Sequence, residues 1–94
     1  MGQLDGRLAI VTGAGQGVGR GIALALATEG AAVAVLGRTA SKLLDTCEEI
    51  SRRGGKGFAI AGDAHDRDDI QRMVDESVQA LGGVDILVNN ANVH

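Results

Sequence analysis

Leu8-Ala9-Ile10-Val11-Thr12-Gly13-Ala14-Gly15-Gln16-Gly17-Val18-Gly19 runs from an apolar stretch into a glycine-rich turn, and a segment of small residues with helical character follows. It reads as a strand, a turn and the N-terminus of a helix. Glycines let the chain turn tightly and let its backbone come close to a ligand. The first N–H groups of a helix lack partners within it, and the helix dipole adds positive charge there, so such a junction suits a diphosphate. The spacing narrows the choice. A strict G-x-G-x-x-G needs a glycine at Val18 when counted from Gly13, or at Arg20 when counted from Gly15. An NTP-hydrolysing phosphate loop needs a glycine followed by Lys and a hydroxyl residue, and none occurs, which argues against ATP or GTP hydrolysis. The pattern that fits is T-G-x-x-x-G-x-G over Thr12 to Gly19.

Outward from this junction, short runs of Val, Ile, Ala and Leu alternate with segments of helical period. Strands are expected near residues 7–12, 32–36, 57–62 and 85–88. They are read as buried on both faces, because they lack apolar/polar alternation. The first helix is expected over residues 18–29, with Gly21 serving close packing on the sheet. In the second, Leu43, Cys47 and Ile50 fall at i, i+4 and i+7, and in the third Ile70, Val74, Val78 and Leu81 repeat that stripe. Right-handed crossovers between parallel strands then give a Rossmann-like three-layer α/β/α fold with strand order 3-2-1-4, a partial doubly wound sheet. A ligand belongs at the carboxyl ends of strands one and four, where the winding reverses.

Composition excludes other classes. The 94 residues carry 12 acidic and 9 basic side chains for a net charge of −3, and the basic ones do not cluster, which argues against nucleic acid or an anionic membrane as partner. No apolar run nears the roughly 20 residues that span a bilayer. Cys47 is the only cysteine, and no signal-like leader is visible, so a reducing, cytoplasmic setting is expected. His65 and His94 lack neighbours at ligand spacing and read as solvent-side residues, with no metal site.

Over Thr12 to Gly19 the chain resembles the short-chain dehydrogenase/reductase family, and Asn89-Asn90-Ala91 after Asp85-Ile86-Leu87-Val88 matches that family's N-N-A-G segment in register. Asn92 stands where the family has glycine. The resemblance implies a nicotinamide dinucleotide held by Gly13, Gly15, Gln16, Gly17, Val18 and Gly19, with Asn90, Ala91 and Asn92 at the nicotinamide ribose. It also implies that Asp63 accepts a hydrogen bond from the adenine amino group and that Ala64 flanks the ring. A competing reading makes Asp63, like Asp66, a helix cap.

The end of the second strand bears on which cofactor is bound. A carboxylate there would bind the ribose hydroxyls of NAD, and this chain has Gly37-Arg38-Thr39 instead. Arg38 suits a phosphate, so NADP(H) is expected over NAD(H). The competing readings are a solvated loop for Arg38 and an N-cap for Thr39. The family's Ser, Tyr-x-x-x-Lys and further Asn lie later in longer chains, and this sequence contains no tyrosine. The expectation is therefore the N-terminal cofactor-binding part, residues 1–94, of a longer reductase acting on a small carbonyl or alcohol. An open apolar fourth strand is expected to drive self-association or association with a C-terminal half. A stand-alone nucleotide-binding module is the alternative. A methyltransferase is disfavoured because it usually has an acid after strand two.

Overall fold

A computed structural model describes residues 2–90. Seven elements alternate: β1 (Leu8–Thr12), α1 (Gly17–Thr28), β2 (Ala32–Gly37), α2 (Ala40–Arg52), β3 (Lys56–Ala61), α3 (Arg67–Leu81) and β4 (Ile86–Val88). All neighbouring strands are parallel, in the order β3-β2-β1-β4. This is the Rossmann-like topology that the alternation predicts.

The pleat divides each strand between two helical layers. Ala9, Val11, Val33 and Val35 point to the face covered by α1 and α2, where they meet Ala23, Leu24, Ala27, Leu43 and Ile50. Ile10, Ala34, Leu36 and Ile60 point the other way and meet Met73 of α3. Alanines on α1 keep that helix close to the sheet, since a small side chain shortens the distance between packed backbones.

Burial on both faces holds for β1 and β2 and fails at the edges. β3 alternates, with Phe58 36% exposed, and Leu87 at the centre of β4 is 62% exposed. Leu87 is registered with Ile10 and so shares the α3 face. The stripe expected on α3 is also rotated. Met73 and Ser77 are the buried residues, Ile70 is 41% exposed, and Val74, Val78 and Leu81 are half-buried. A helix crossing one face of a sheet buries only a narrow arc, so the remainder of a wide apolar stripe flanks the contact.

Gly21 is not a packing glycine: a Cβ built there meets nothing within 4 Å. Gly19 has that role. A Cβ on Gly19 would lie 2.0 Å from the Gly13 carbonyl oxygen, a backbone atom that cannot move aside.

The turn between β3 and α3 is held by Asp69. Its carboxylate accepts the Asp63 N–H at 2.6 Å and the Arg72 Nε–H at 2.9 Å. The Arg72 guanidinium, followed by the Asp63 amide, holds Asp69 below the usual carboxylate range. Asp66 caps α3 by accepting from the N–H groups of Asp68 and Asp69.

Two outcomes follow. Gly19→Ala should destabilise the chain by more than about 3 kcal/mol, and Gly21→Ala should stabilise it by about 0.5–1 kcal/mol. Urea denaturation measures both, and similar effects at the two sites would contradict the assignment. For Asp69, a depressed carboxyl contributes stability that is complete above the unfolded value of about 4 and is lost as the pH falls through the folded value. The gap between wild type and Asp69→Asn should therefore be widest at neutral pH and close in acid. A gap independent of pH would count against this linkage.

Candidate functional site

The glycine turn is built from three different demands on the backbone. Gly13 and Gly17 have φ of +62° and +59°, a region that favours glycine, while Gly19 is glycine because α1 presses against the turn. Buried Ala14 anchors the loop from both sides of its peptide unit. Its N–H donates to the Leu36 carbonyl at 3.0 Å, and its carbonyl accepts from the Thr46 hydroxyl at 3.1 Å. The turn is thereby fixed to the end of β2 and to α2.

Gln16, with φ of −159°, occupies the N-cap of α1 without a side-chain capping bond, and the first turn carries no acid. Among the described residues, no acceptor meets the N–H groups of Gly17, Val18 and Gly19. Helix α2 begins similarly: Thr39 occupies its N-cap, but the hydroxyl makes no capping bond, and that first turn also lacks an acid. Thr39 is thus the N-cap of α2 by position, as the capping reading has it, while its hydroxyl takes no part in the cap. Helix α3 differs, since it fills its own N-terminus with Asp66, Asp68 and Asp69.

At the carboxyl end of β4, the Asn90 N–H donates to the Thr12 hydroxyl at 2.7 Å, and that hydroxyl lies 3.2 Å from Asn89 Oδ1. These bonds tie strands one and four together at the reversal of winding. The Asn90 side chain sits against the turn, with Nδ2 2.7 Å from a Cβ built on Gly19.

Between these elements lies a cleft of about 560 Å³. Gly13, Gly15, Gln16, Gly17, Val18, Arg38, Thr39, Ala64 and Asn90 line it, so most residues singled out in the sequence converge here. Gly19 is buried against the turn. Asp63 is half-buried beside the cleft, and one of its carboxylate oxygens accepts the His65 N–H at 2.8 Å, so it caps a local turn and not α3. Ala91, Asn92 and His94 lie outside the described residues.

Arg38 is exposed and, among the described residues, makes no hydrogen bond or ion pair. Beside it, a Cβ on Gly37 would lie 3.1 Å from Leu43 Cδ2, close enough that the leucine side chain would have to shift slightly.

Two participants, Lys42 and Thr46, are not singled out from the sequence, and two others, His65 and Thr12, are read there only as a solvent-side residue and as the first residue of the glycine motif. Lys42 lines the cleft, and its Nζ donates to Gln16 Oε1 at 2.5 Å. His65 lines the far end. Thr12 and Thr46 position the turn. A hydroxyl residue has no sequence signature for a long-range bond, although the threonine that opens the glycine motif was itself a signal. No helix among the described residues is long and apolar enough to cross a membrane.

Comparison with known proteins agrees with this geometry. The family model described as short chain dehydrogenase matches residues 7–94. A glucose 1-dehydrogenase of Gluconobacter oxydans is 46% identical over 87 residues, covering 92% of this chain and 33% of that protein. The short-chain dehydrogenase/reductase homolog YusS of Bacillus subtilis is 43% identical over 88 residues, covering 93% of this chain and 81% of YusS. Among solved structures, a 7α-hydroxysteroid dehydrogenase complexed with NADH and 7-oxo glycochenodeoxycholic acid matches with a TM-score of 0.93 and 42% identity, over 96% of this chain and 35% of that one. The chain thus spans about a third of the length of these two dehydrogenases. With the glycine turn, the asparagine segment and the strand order all in register, this chain belongs to the short-chain dehydrogenase family.

Proposed function

We propose that this chain binds NADP(H) in the cleft and is the cofactor-binding part of an oxidoreductase that moves hydride between NADPH and a small carbonyl or alcohol. One observation carries the cofactor choice: the end of β2 has Gly37 where an NAD-binding site would present a carboxylate, and next to it Arg38, unpaired among the described residues. Family membership supports a nicotinamide dinucleotide in general, and the related 7α-hydroxysteroid dehydrogenase was solved with NADH. Arg38 and Gly37 favour the phosphorylated form.

The residues present fit such a ligand. The amides of Gly17, Val18 and Gly19, without an acceptor among the described residues, would hold the diphosphate, as the positive end of a helix does. Side chains at 13 and 19 would crowd the Asn90 and Gly13 backbone, so the turn is shaped by their absence. Arg38, with the Thr39 hydroxyl that makes no capping bond, would hold the 2′-phosphate. Asp63 would accept from the adenine amino group with Ala64 beside the ring, and Asn90, Ala91 and Asn92 would face the nicotinamide ribose. When bound, the nicotinamide supplies or accepts hydride. With no tyrosine in its sequence, this chain binds and orients without providing the family's proton donor, so it should be inactive alone. Exposed Leu87 on the edge strand supports association with another copy or with catalytic polypeptide. The lone, half-buried Cys47, whose thiol is pushed up by burial, supports a cytoplasmic setting.

A second reading, a self-contained nucleotide-binding module, is favoured by the match to YusS, most of whose length this chain covers. A stable, cooperatively folding monomer that binds NADPH would support the module. Aggregation relieved by a C-terminal partner would support the reductase part.

Arg38→Ala should lower NADPH affinity roughly ten- to a hundredfold while leaving NADH within about twofold. Fluorescence titration with each nucleotide reads this, and an unchanged affinity ratio would refute the NADP assignment. Asp63→Ala should weaken both nucleotides alike. A change in their ratio would show that Asp63 does not act at the adenine.

A further inference from the structure

Asp63 is fixed through its backbone by the helix that follows it. Its N–H donates to Asp69 Oδ2 at 2.6 Å, and its carbonyl accepts the Asp66 N–H at 3.1 Å. Its carboxylate is committed at one oxygen: Oδ1 accepts the His65 N–H at 2.8 Å, while among the described residues Oδ2 accepts nothing. One acceptor is thus left over beside the cleft, on a residue held at both ends of its backbone.

Two side chains of α3 do the holding. Asp69 takes the Asp63 amide with one oxygen and the Arg72 Nε–H with the other, at 2.9 Å. Arg72 donates onward from Nη2 to the Ala61 carbonyl at 2.9 Å and from Nη1 to Glu76. The pair therefore grips the chain on either side of Gly62, by the carbonyl before it and the amide after it. Gly62 itself donates to the Gly37 carbonyl at 2.8 Å, which ties this point to the end of β2. Its missing side chain lets α3 close in: a Cβ there would lie 2.6 Å from Met73 Sδ, 2.8 Å from Arg72 Nη2 and 2.9 Å from Asp69 Oδ2. Gly62 and Ala64 both line the cleft, so the grip acts on its wall. Asp69 is not needed as a cap, because the Asp66 side chain already accepts from the Asp68 and Asp69 amides. Its carboxylate reaches back six residues instead, in a short charge-assisted bond.

We propose that Asp69 and Arg72 are positioning residues for adenine recognition: they set the Asp63 backbone so that its uncommitted carboxylate oxygen meets the exocyclic amino group of the bound nucleotide. This rests on the assignment of Asp63 to the adenine and adds to it the groups that aim it. A carboxylate already in place loses little freedom on binding, and a directional bond weakens steeply when its acceptor is displaced.

NADP⁺ and its deamino analogue, nicotinamide hypoxanthine dinucleotide phosphate, titrated by calorimetry into the 94-residue chain, test this. The analogue carries a carbonyl oxygen in place of the amino group, so the ratio of the two affinities reads this one contact. A variant that is only less folded lowers both affinities by the same factor and leaves the ratio unmoved. The wild type should prefer NADP⁺ roughly tenfold, and Asp63→Ala should remove that preference. Asp69→Ala and Arg72→Met should each cut it to about two- to threefold, whereas Asp69→Asn, which keeps an oxygen for the Asp63 amide, should retain more of it. In the Asp63→Ala background, Asp69→Ala should change the ratio no further. If Asp69→Ala and Arg72→Met weaken both nucleotides alike while Asp63→Ala removes the preference, the pair only supports the fold; the proposal is refuted and the adenine reading of Asp63 stands. If the wild type does not discriminate, or Asp63→Ala keeps the preference, both fall, and the reading of Arg38 is untouched.

Discussion

The site depends on one close approach: helix α1 lies so near the turn that opens it that Gly19 touches the Gly13 backbone with no room for a single carbon between them. That contact aims the helix N-terminus into the cleft, and with it the amides of Gly17, Val18 and Gly19, which have no acceptor among the described residues. The turn cannot relax away. Ala14 is bonded to β2 and α2, while Thr12 fastens the end of β1 to Asn90 after β4. A parallel sheet whose winding reverses between β1 and β4 leaves a crevice at their carboxyl ends, and these bonds shape its floor.

Electrostatics then distinguishes this crevice from the rest of the surface. Acidic residues are spent on the helices: Glu48 and Glu49 pair with Arg52 and Arg53, and Asp69 and Glu76 with Arg72. The neighbouring arginines hold the Glu49 and Asp69 carboxyls below their usual range, so both stay charged and occupied where they are. Exposed pairs of this kind add little stability. Among the described residues the cleft lining itself holds no carboxylate, while Arg38, Lys42 and the residues opening α1 and α2 border it, with Asp63 to one side.

Elements with strong local signals were legible in the sequence. The glycine spacing, the β-branched runs and the periodic helices gave the parallel order 3-2-1-4, and the glycine turn, Arg38, Ala64 and Asn90 do share one cleft. What stayed hidden depends on which atoms meet across the fold. Gly19 and Gly21 look alike in sequence, two residues apart on one helix, yet only Gly19 faces the turn. Lys42 carries no local signal of its place in the cleft, because nothing near it in sequence reveals that Gln16, 26 positions earlier, reaches it. The order 3-2-1-4 already makes β3 and β4 the edges, but the lack of apolar/polar alternation reads as burial on both faces, and Phe58 and Leu87 instead lie exposed there.

Central to this account is that amides at the mouth of α1 bind a diphosphate. Titration of the isotopically labelled chain with NADP⁺, followed by amide resonances in NMR, tests it most directly. The account predicts large saturating shifts for Gly17, Val18 and Gly19, with those of α3 little changed. Saturable binding that leaves these three amides unmoved, or no binding at all, would contradict it.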